Sequence, residues 1–395
     1  MARISSQYEQ LLLQQLQARQ DAGLLRSRRI VKPIDSVHLE IDGRPCVNFC
    51  SNDYLGLTHH PRLIAAIERA LHTHGAGSGA AGLISGFGPL HAEAEKTIAQ
   101  WKKMQSCVLL PSGYQANCAA IQTLSALIKQ TGGRFLVDKL IHASLLDALG
   151  ASQSPMRVYP HNNLSKLRRL LAESPAAGPD VVVTESIFSM DGDAADLAGL
   201  SALKREFPFI LLLDEAHASG VYGPDGAGLA MERGCHADVD VAVVTLSKAL
   251  GLVGGAVCGS NTFCQSLLNF GRAYIYSTSV PAFIAAGANS AIQILRDEPA
   301  RQRRLREMAL KFRQTVASAG LEIPPGDSPI IPIILGSPRQ ATAASESLFK
   351  QAMLALPVRP PTVPRGGSRL RITLSCDHTD EEVSRLSQAL AEMRI

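Results

Sequence analysis

Residues 209–220 read FILLLDEAHASG, and residues 241–251 read VAVVTLSKALG. Each opens on a short apolar run rich in strand formers and then turns polar, with Asp214 closing the first run and Lys248 following the second. A continuous apolar run of this length, bounded by turn residues, is the pattern of a strand buried on both faces. Five more such runs surround these two: SCVLL (106–110), RFLVD (134–138), MRVYP (156–160), DVVVTESIF (180–188) and GGAVCG (254–259). Between them lie helical patterns such as PSGYQANCAAIQTLSALI and NLSKLRRLLAE. Strands alternating with helices predict an α/β fold with a mostly parallel seven-stranded sheet.

Outside that centre the rhythm changes. Residues 4–29 carry Leu11, Leu12, Leu16 and Leu24 among Gln and Arg, a helical spacing that runs into the basic cluster Arg26, Arg28, Arg29 and Lys32. The segment VHLEIDGRPCVNFC places Asp42-Gly43 between two strand-like pieces, a strong hairpin signal. The tail has two helical stretches, then strand-like IPIIL and RLRITL, then a last helix. We expect an N-terminal helix and hairpin segment over 1–45, a large domain over 46–285 and a smaller α+β C-terminal domain over 286–395.

The bulk numbers set limits. In 395 residues, 39 basic side chains face 35 acidic ones, and a net charge of +4 gives no global attraction to nucleic acid. Eight cysteines are scattered without a C-x-x-C, so neither a zinc site nor a disulfide framework is expected. The chain has no long uninterrupted apolar run and no leader-like h-region, so the expectation is a cytoplasmic protein without a membrane or nucleic-acid partner.

Three strings invite misreading. Gly77, Gly79 and Gly82 spell G-x-G-x-x-G, but a helical pattern, LIAAIERALHTH, precedes them where a dinucleotide cradle needs a strand. Asp214 to His217 spell DEAH, yet no phosphate loop of the form G-x-x-x-x-G-K-[ST] accompanies them. His72 and His74 are two apart with no nearby cysteine or carboxylate cluster, which is poor metal geometry, and no metal is expected.

In an α/β sheet, ligands sit beyond the carboxyl ends of the strands. The polar residues there form a set. Asp214 is either a helix cap or a counter-charge for a cation. Lys248 is either a snorkelling lysine or a desolvated, nucleophilic amine. Ser112-Gly113-Tyr114 open a helix, where backbone N–H groups attract phosphate. Thr245 and Ser247 offer hydroxyls, His142 a flat ring, and Ser189 and His217 polar contacts. An aldehyde cofactor with a phosphate, a pyridinium nitrogen and a phenolic oxygen would use every one of them, which is the profile of pyridoxal phosphate.

The strings NFCSNDYLGL, PSGYQAN, IHASLLDA, FSMDGD, DEAHASGVYGPDGAG, TLSKALG, YIYSTSVP and VRPPTVPRGGSRLRITL resemble, in order, the α-oxoamine synthases of the aspartate-aminotransferase-like fold (pyridoxal-phosphate fold type I). The resemblance runs from about residue 45 to near the end of the chain. It implies Lys248 as the Schiff-base lysine and proton acceptor, Asp214 as partner of the ring nitrogen and His142 as the stacking ring. Ser189 and His217 are implied near the cofactor oxygen, with Ser112, Gly113, Tyr114 and Thr245 at the phosphate. Ser277 and Thr278 are implied to reach the phosphate of a neighbouring subunit, hence a homodimer with shared sites. Arg371, with Arg369 on the same strand face, is the implied carboxylate fork, and Asn52, Arg26 and Thr362 are implied substrate contacts.

The implied reaction condenses L-alanine with a pimeloyl thioester, on CoA or a carrier protein, with loss of carbon dioxide, in biotin biosynthesis. The alternatives within the family use glycine, as glycine C-acetyltransferase and 5-aminolevulinate synthase do; a non-catalytic protein on the same architecture is a third. Where many relatives carry a polar residue in the glycine-rich loop, this chain has AAGLISG around Leu83.

Overall fold

The computed structural model describes residues 2–173 and 177–393. Its centre is a seven-stranded sheet ordered Ser106–Leu110, Gly255–Gly259, Val241–Thr245, Phe209–Asp214, Asp180–Glu185, Arg134–Asp138 and Met156–Tyr159. Gly255–Gly259 pairs antiparallel with both its neighbours, and the remaining pairs are parallel. All seven expected strands are therefore present in one sheet.

The two-residue period of the strands sorts their side chains onto two helix-covered faces. Val182, Leu211, Leu213 and Val244 join one apolar core. Their chain neighbours Val181, Val183, Leu212 and Val243 join the other. Burying each such side chain stabilises the fold by about 1.5–3 kcal/mol, so both faces of the central strands must be apolar. Polar groups are left to the strand ends.

The N-terminal hairpin forms as the sequence predicts, His38–Ile41 against Arg44–Asn48. Asp42 and Gly43 both have positive φ, 52° and 75°, as the tight primed turn demands. Two further strands flank it: Val31–Pro33 antiparallel to the first, and Met353–Leu354 parallel to the second. The hairpin and the C-terminal tail thus share a sheet. The boundary expected at 45/46 falls inside Arg44–Asn48, and that at 285/286 falls inside the helix Ala282–Asp297.

The tail builds a second small sheet, Ile330–Gly336, Ser368–Thr373 and Leu356–Val358, all antiparallel. Helices Asn261–Phe270 and Pro338–Lys350 were not anticipated. The second is rich in Ala and Ser and has little apolar stripe to detect. The first helix is Ala2–Asp21 rather than 4–29, with left-handed Gly23 soon after its end. Its described side chains stay exposed, including Leu11, Leu13 and Leu16. Among the described residues no helix is long and apolar enough to cross a membrane.

Candidate active site

Asp214 is the last residue of its strand and is 4% exposed. One carboxylate oxygen accepts from the backbone N–H of Ala216 at 2.8 Å, and the other accepts from Nδ2 of Asn117 at 2.7 Å. Asp214 therefore does tie down the turn after its strand, and among the described residues no cation is bonded to its buried carboxylate. Pairing across the sheet sets Glu185 beside Asp214, and Asp214 beside Val243. The ends of two strands are thereby brought level, and the third strand runs two residues further, to Thr245.

Lys248 follows the strand Val241–Thr245, and its Nζ lies 2.7 Å from Nε2 of His217. Burial lowers the lysine to about 8, against the opposing pull of Asp214 and Glu185. His217 is 4% exposed, and burial, reinforced by the charges of Lys248 and Arg371, keeps it far below the ordinary histidine range. Its other ring nitrogen, Nδ1, is 2.6 Å from the hydroxyl of Tyr54.

A cavity of about 270 Å³ opens between these groups. Eight of the expected cofactor residues line it: Ser112, Gly113, Tyr114, His142, Asp214, His217, Thr245 and Lys248. Ser112 caps the helix Gly113–Thr131 by accepting from the N–H of Gln115 at 3.1 Å. Gly113 packs against Thr245, where an added Cβ would stand 3.0 Å from Oγ1. The Thr245 hydroxyl in turn lies 2.8 Å from that of Ser247. His142 caps the helix Ala143–Ser152 through Nδ1, which sits 2.7 Å from the Ser144 hydroxyl.

The other expected residues are not among those that line the cavity. Ser189 accepts at its carbonyl from Nε of Arg371, 2.7 Å away. Ser277 accepts from Nε2 of Gln115 at 2.9 Å, and Thr278 forms a bridge with Ala81 of the glycine-rich loop. Arg371 also donates to Oδ1 of Asn52 at 3.2 Å. Arg26 meets Thr362 at 3.3 Å, joining two expected substrate contacts from opposite ends of the chain.

The two candidate arginines differ sharply. Arg369 is neutralised by Asp191 at 2.6 Å. Arg371 is 5% exposed, and the oxygens it meets, on Ser189, Asn52 and Thr373, are all uncharged. A buried guanidinium without a counter-ion is costly until an anion reaches it.

Sequence reasoning missed Glu185, Asn117 and Tyr54. Glu185 lines the cavity at 2% exposure with Oε1 unpartnered, and burial beside Asp214 pushes its carboxyl well up, towards the neutral form. It closes an apolar run just as Asp214 does, which was the available signal. Asn117 and Tyr54 lie inside helix and loop patterns, where nothing distinguishes them from core residues.

The glycine-rich loop joins the helices Pro61–His74 and Pro89–Trp101 and is fastened to residues 278–280. Ala80 O accepts from Ser279 N at 3.1 Å, and Ser78 donates to Val280 O at 2.5 Å. A Cβ at Gly82 would fall 2.4 Å from the Tyr274 hydroxyl, and one at Gly86 would fall 2.1 Å from the Ala80 carbonyl oxygen. Close packing explains the small residues. Leu83 and Ile84 remain exposed at the tip.

The family of class I and II aminotransferases matches residues 44–390, covering the central sheet, the cavity and most of the tail. The chain belongs to that family.

Within this aminotransferase family the chain is 42% identical to a putative 8-amino-7-oxononanoate synthase of Desulforudis audaxviator, over 97% of this chain and 98% of that one. It is 39% identical to the 8-amino-7-oxononanoate synthase of Alkalilimnicola ehrlichii, over 97% of both. Among solved structures, the 8-amino-7-oxononanoate synthase of Francisella tularensis superposes with a TM-score of 0.77 at 27% identity, over 88% of this chain and 97% of that one. A serine palmitoyltransferase from S. paucimobilis with a bound PLP–myriocin aldimine superposes with a TM-score of 0.89 at 25% identity, over 96% of both chains. These aminotransferase-family structures share the type I fold expected from the sequence.

Proposed function

We propose that the protein is a pyridoxal-phosphate-dependent acyltransferase that condenses L-alanine with a pimeloyl thioester. Its products are 8-amino-7-oxononanoate, carbon dioxide and the free thiol, a step of biotin biosynthesis. The observation that carries this reading is one cavity bordered by a nucleophilic amine, a buried carboxylate and a helix N-terminus. The near full-length identity to synthases of that name supports the choice of substrates.

The residues present fit the cofactor. Asp214 holds a buried negative charge suited to a pyridinium N–H, and Asn117 steadies it. The close approach of Gly113 to Thr245 leaves backbone and hydroxyl donors for a phosphate at the helix start. The Asn117 Oδ1 and Glu185 Oε1 atoms are buried polar atoms without partners in the same wall. When bound, pyridoxal phosphate supplies an electron sink for the bond broken at the amino-acid Cα.

The chain's own groups do the rest. Lys248, with its affinity for protons reduced by burial, takes the Cα proton on Nζ near neutral pH. Arg371, the unpaired one of the two arginines, grips the amino-acid carboxylate beside Asn52. His142 would stack on the ring of the bound cofactor, and Ser189 and His217 would meet its phenolic oxygen. Arg26 and Thr362, already bonded to each other, serve as further substrate contacts. Ser277 and Thr278 reach a second subunit's phosphate, so the working form is a homodimer. The exposed Tyr276 beside them, and the exposed Leu83 and Ile84, suit coverage by that subunit. All eight cysteines are free thiols, as suits the cytoplasm.

The deciding experiment is steady-state turnover of alanine against glycine with pimeloyl-, acetyl- and succinyl-CoA. Alanine with pimeloyl-CoA is the expected preferred pair. A preference for glycine with a shorter thioester would replace this reading with a glycine-using synthase.

A further inference from the structure

Cys107 and Cys258 take no part in the chemistry described so far. They stand directly opposite one another on the antiparallel strands Ser106–Leu110 and Gly255–Gly259. Both side chains join the same apolar core, at 4% and 0% exposure, and both are free thiols. Opposite residues of an antiparallel pair come in two kinds, and the kind decides how near two thiols stand.

The surrounding backbone bonds settle which kind this is. The N–H of Leu109 donates away from the partner strand, to Oε1 of Glu95 at 2.8 Å. Backbone groups two residues apart in a strand point the same way, so Cys107 also turns its own away from Gly255–Gly259. On the other strand, the carbonyl of Gly254 faces Val241–Thr245 and accepts from the N–H of Leu246 at 3.0 Å. Ala256 and Cys258 follow at the same two-residue period. Cys107 and Cys258 are therefore a non-hydrogen-bonded pair, the kind whose Cα atoms lie about 4.5 Å apart. A disulfide spans Cα separations of about 4.4–6.8 Å, so a bridge closes here with both strands in place.

We propose that Cys107 and Cys258 form an oxidation site, which a peroxide closes into a disulfide across the two strands.

A second observation supplies the way in. A cavity of about 360 Å³, apart from the cofactor cavity, is lined by Cys107 and rimmed by the exposed Lys96, Gln100 and Gln105. Cys258 does not line it, so Cys107 reacts first. Its thiolate attacks one peroxide oxygen, the O–O bond breaks, and the other oxygen takes a proton and leaves as water. The sulfenic acid left on Cys107 is then attacked by the Cys258 thiolate. The S–S bond forms, the S–O bond breaks, and a second water leaves. Two thiols are oxidised and one peroxide is reduced to two waters. Cys264 does not compete, because it packs in the core on the opposite face of the sheet.

The thiolate is the reacting form. Burial, the adjoining Cys258 thiol and the charges of Glu95 and Cys264 all push Cys107 well above the usual thiol range. Bridging is therefore slow at neutral pH and faster in mild alkali.

The test uses the full chain loaded with its cofactor. It is incubated with hydrogen peroxide at about pH 7 and about pH 9, unfolded in an alkylating reagent and mapped by mass spectrometry. The dose is raised until the half-buried Cys50 and Cys118 are oxidised, which shows that the oxidant is effective. The expected product is a peptide pair joined through Cys107 and Cys258, lighter than the two thiol peptides by two hydrogen atoms. It should form at least about tenfold faster at the higher pH. In Cys258→Ser the joined pair should vanish and Cys107 should carry a sulfenic acid that dimedone traps, whereas Cys264→Ser should bridge like the parent. Oxidised Cys50 and Cys118 beside fully alkylated Cys107 and Cys258 overturns the proposal. So does Cys107 joined to any other cysteine, a sulfinic acid on Cys107 with Cys258 still free, or equal rates at the two pH values. All four of these outcomes are read on the parent chain, whether or not the variants fold.

Discussion

Arg371 donates from Nη1 to Oδ1 of Asn52 across 3.2 Å, joining positions 319 residues apart in the chain. Among the described residues no carboxylate pairs with this guanidinium, while Arg369, two residues earlier, has Asp191. Arg371→Gln should therefore raise the KM for alanine by roughly 10- to 150-fold, the worth of a charge-assisted hydrogen bond to a carboxylate. Arg369→Gln should leave that KM within a fewfold. Steady-state kinetics on the two variants checks the assignment, and the reverse ranking would exchange their roles.

Lys248→Ala should still hold the cofactor, through the phosphate contacts and Asp214, but lose it on gel filtration after denaturation. Turnover should fall by about 10²–10⁴-fold, the usual contribution of a positioned base. Borohydride reduction of the parent followed by peptide mapping should give a pyridoxyl adduct on Lys248; an adduct on any other lysine refutes the site.

Asp214→Asn keeps the shape and the hydrogen bond to Ala216 but removes the negative charge. With the ring nitrogen no longer held as a cation, turnover should drop by at least about 10²-fold, with a changed visible absorbance of the bound cofactor. An absorbance and rate equal to the parent would show that Asp214 serves only as a turn cap.

His161 lies between Asp138 at 3.0 Å and Asp193 at 2.8 Å, edge-on to Phe188. Burial opposes its charge, but the two carboxylates raise it from 6.5 to about 10. A raised histidine contributes stability that is fully present below the unfolded value of about 6.5 and is lost as pH climbs through about 10. His161→Gln should accordingly lower the urea midpoint at pH 6, and the gap from the parent should close as pH approaches 10. A gap that is constant with pH would mean that packing, not charge, is what His161 supplies.

Gly86→Ala would drive a Cβ into the Ala80 carbonyl, whereas Gly77 has nothing within 4 Å of the same position. The first should cost about 1–3 kcal/mol of stability, and the second should be close to neutral. Thermal melts of the two variants separate a packing demand in the loop from a general need for glycine.

The central sheet was legible because its strands are buried on both faces and so nearly free of polar interruption. Val181 to Val183 and Leu211 to Leu213 could belong to little else. Asp214 and Lys248 stood out for the same reason, as ionisable groups closing or following such runs. Glu185 closed one as well, but the run around it continues into Ile187 and Phe188, which masked the strand end. Tyr54 and Asn117 carried no mark, since their importance lies in partners 163 and 97 residues away. The pairing of Met353–Leu354 with the N-terminal hairpin was equally invisible, because a two-residue strand has no periodicity.

That sheet shared by head and tail has a consequence for synthesis. Everything lining the cavity lies between Ser112 and Lys248, a continuous stretch that leaves the ribosome early. Asn52 waits for Arg371, and the hairpin waits for Met353, both of which are made more than a hundred residues after Lys248. The nascent chain thus carries all of its own cavity-lining residues well before it can grip an amino acid, which has to wait for Arg371.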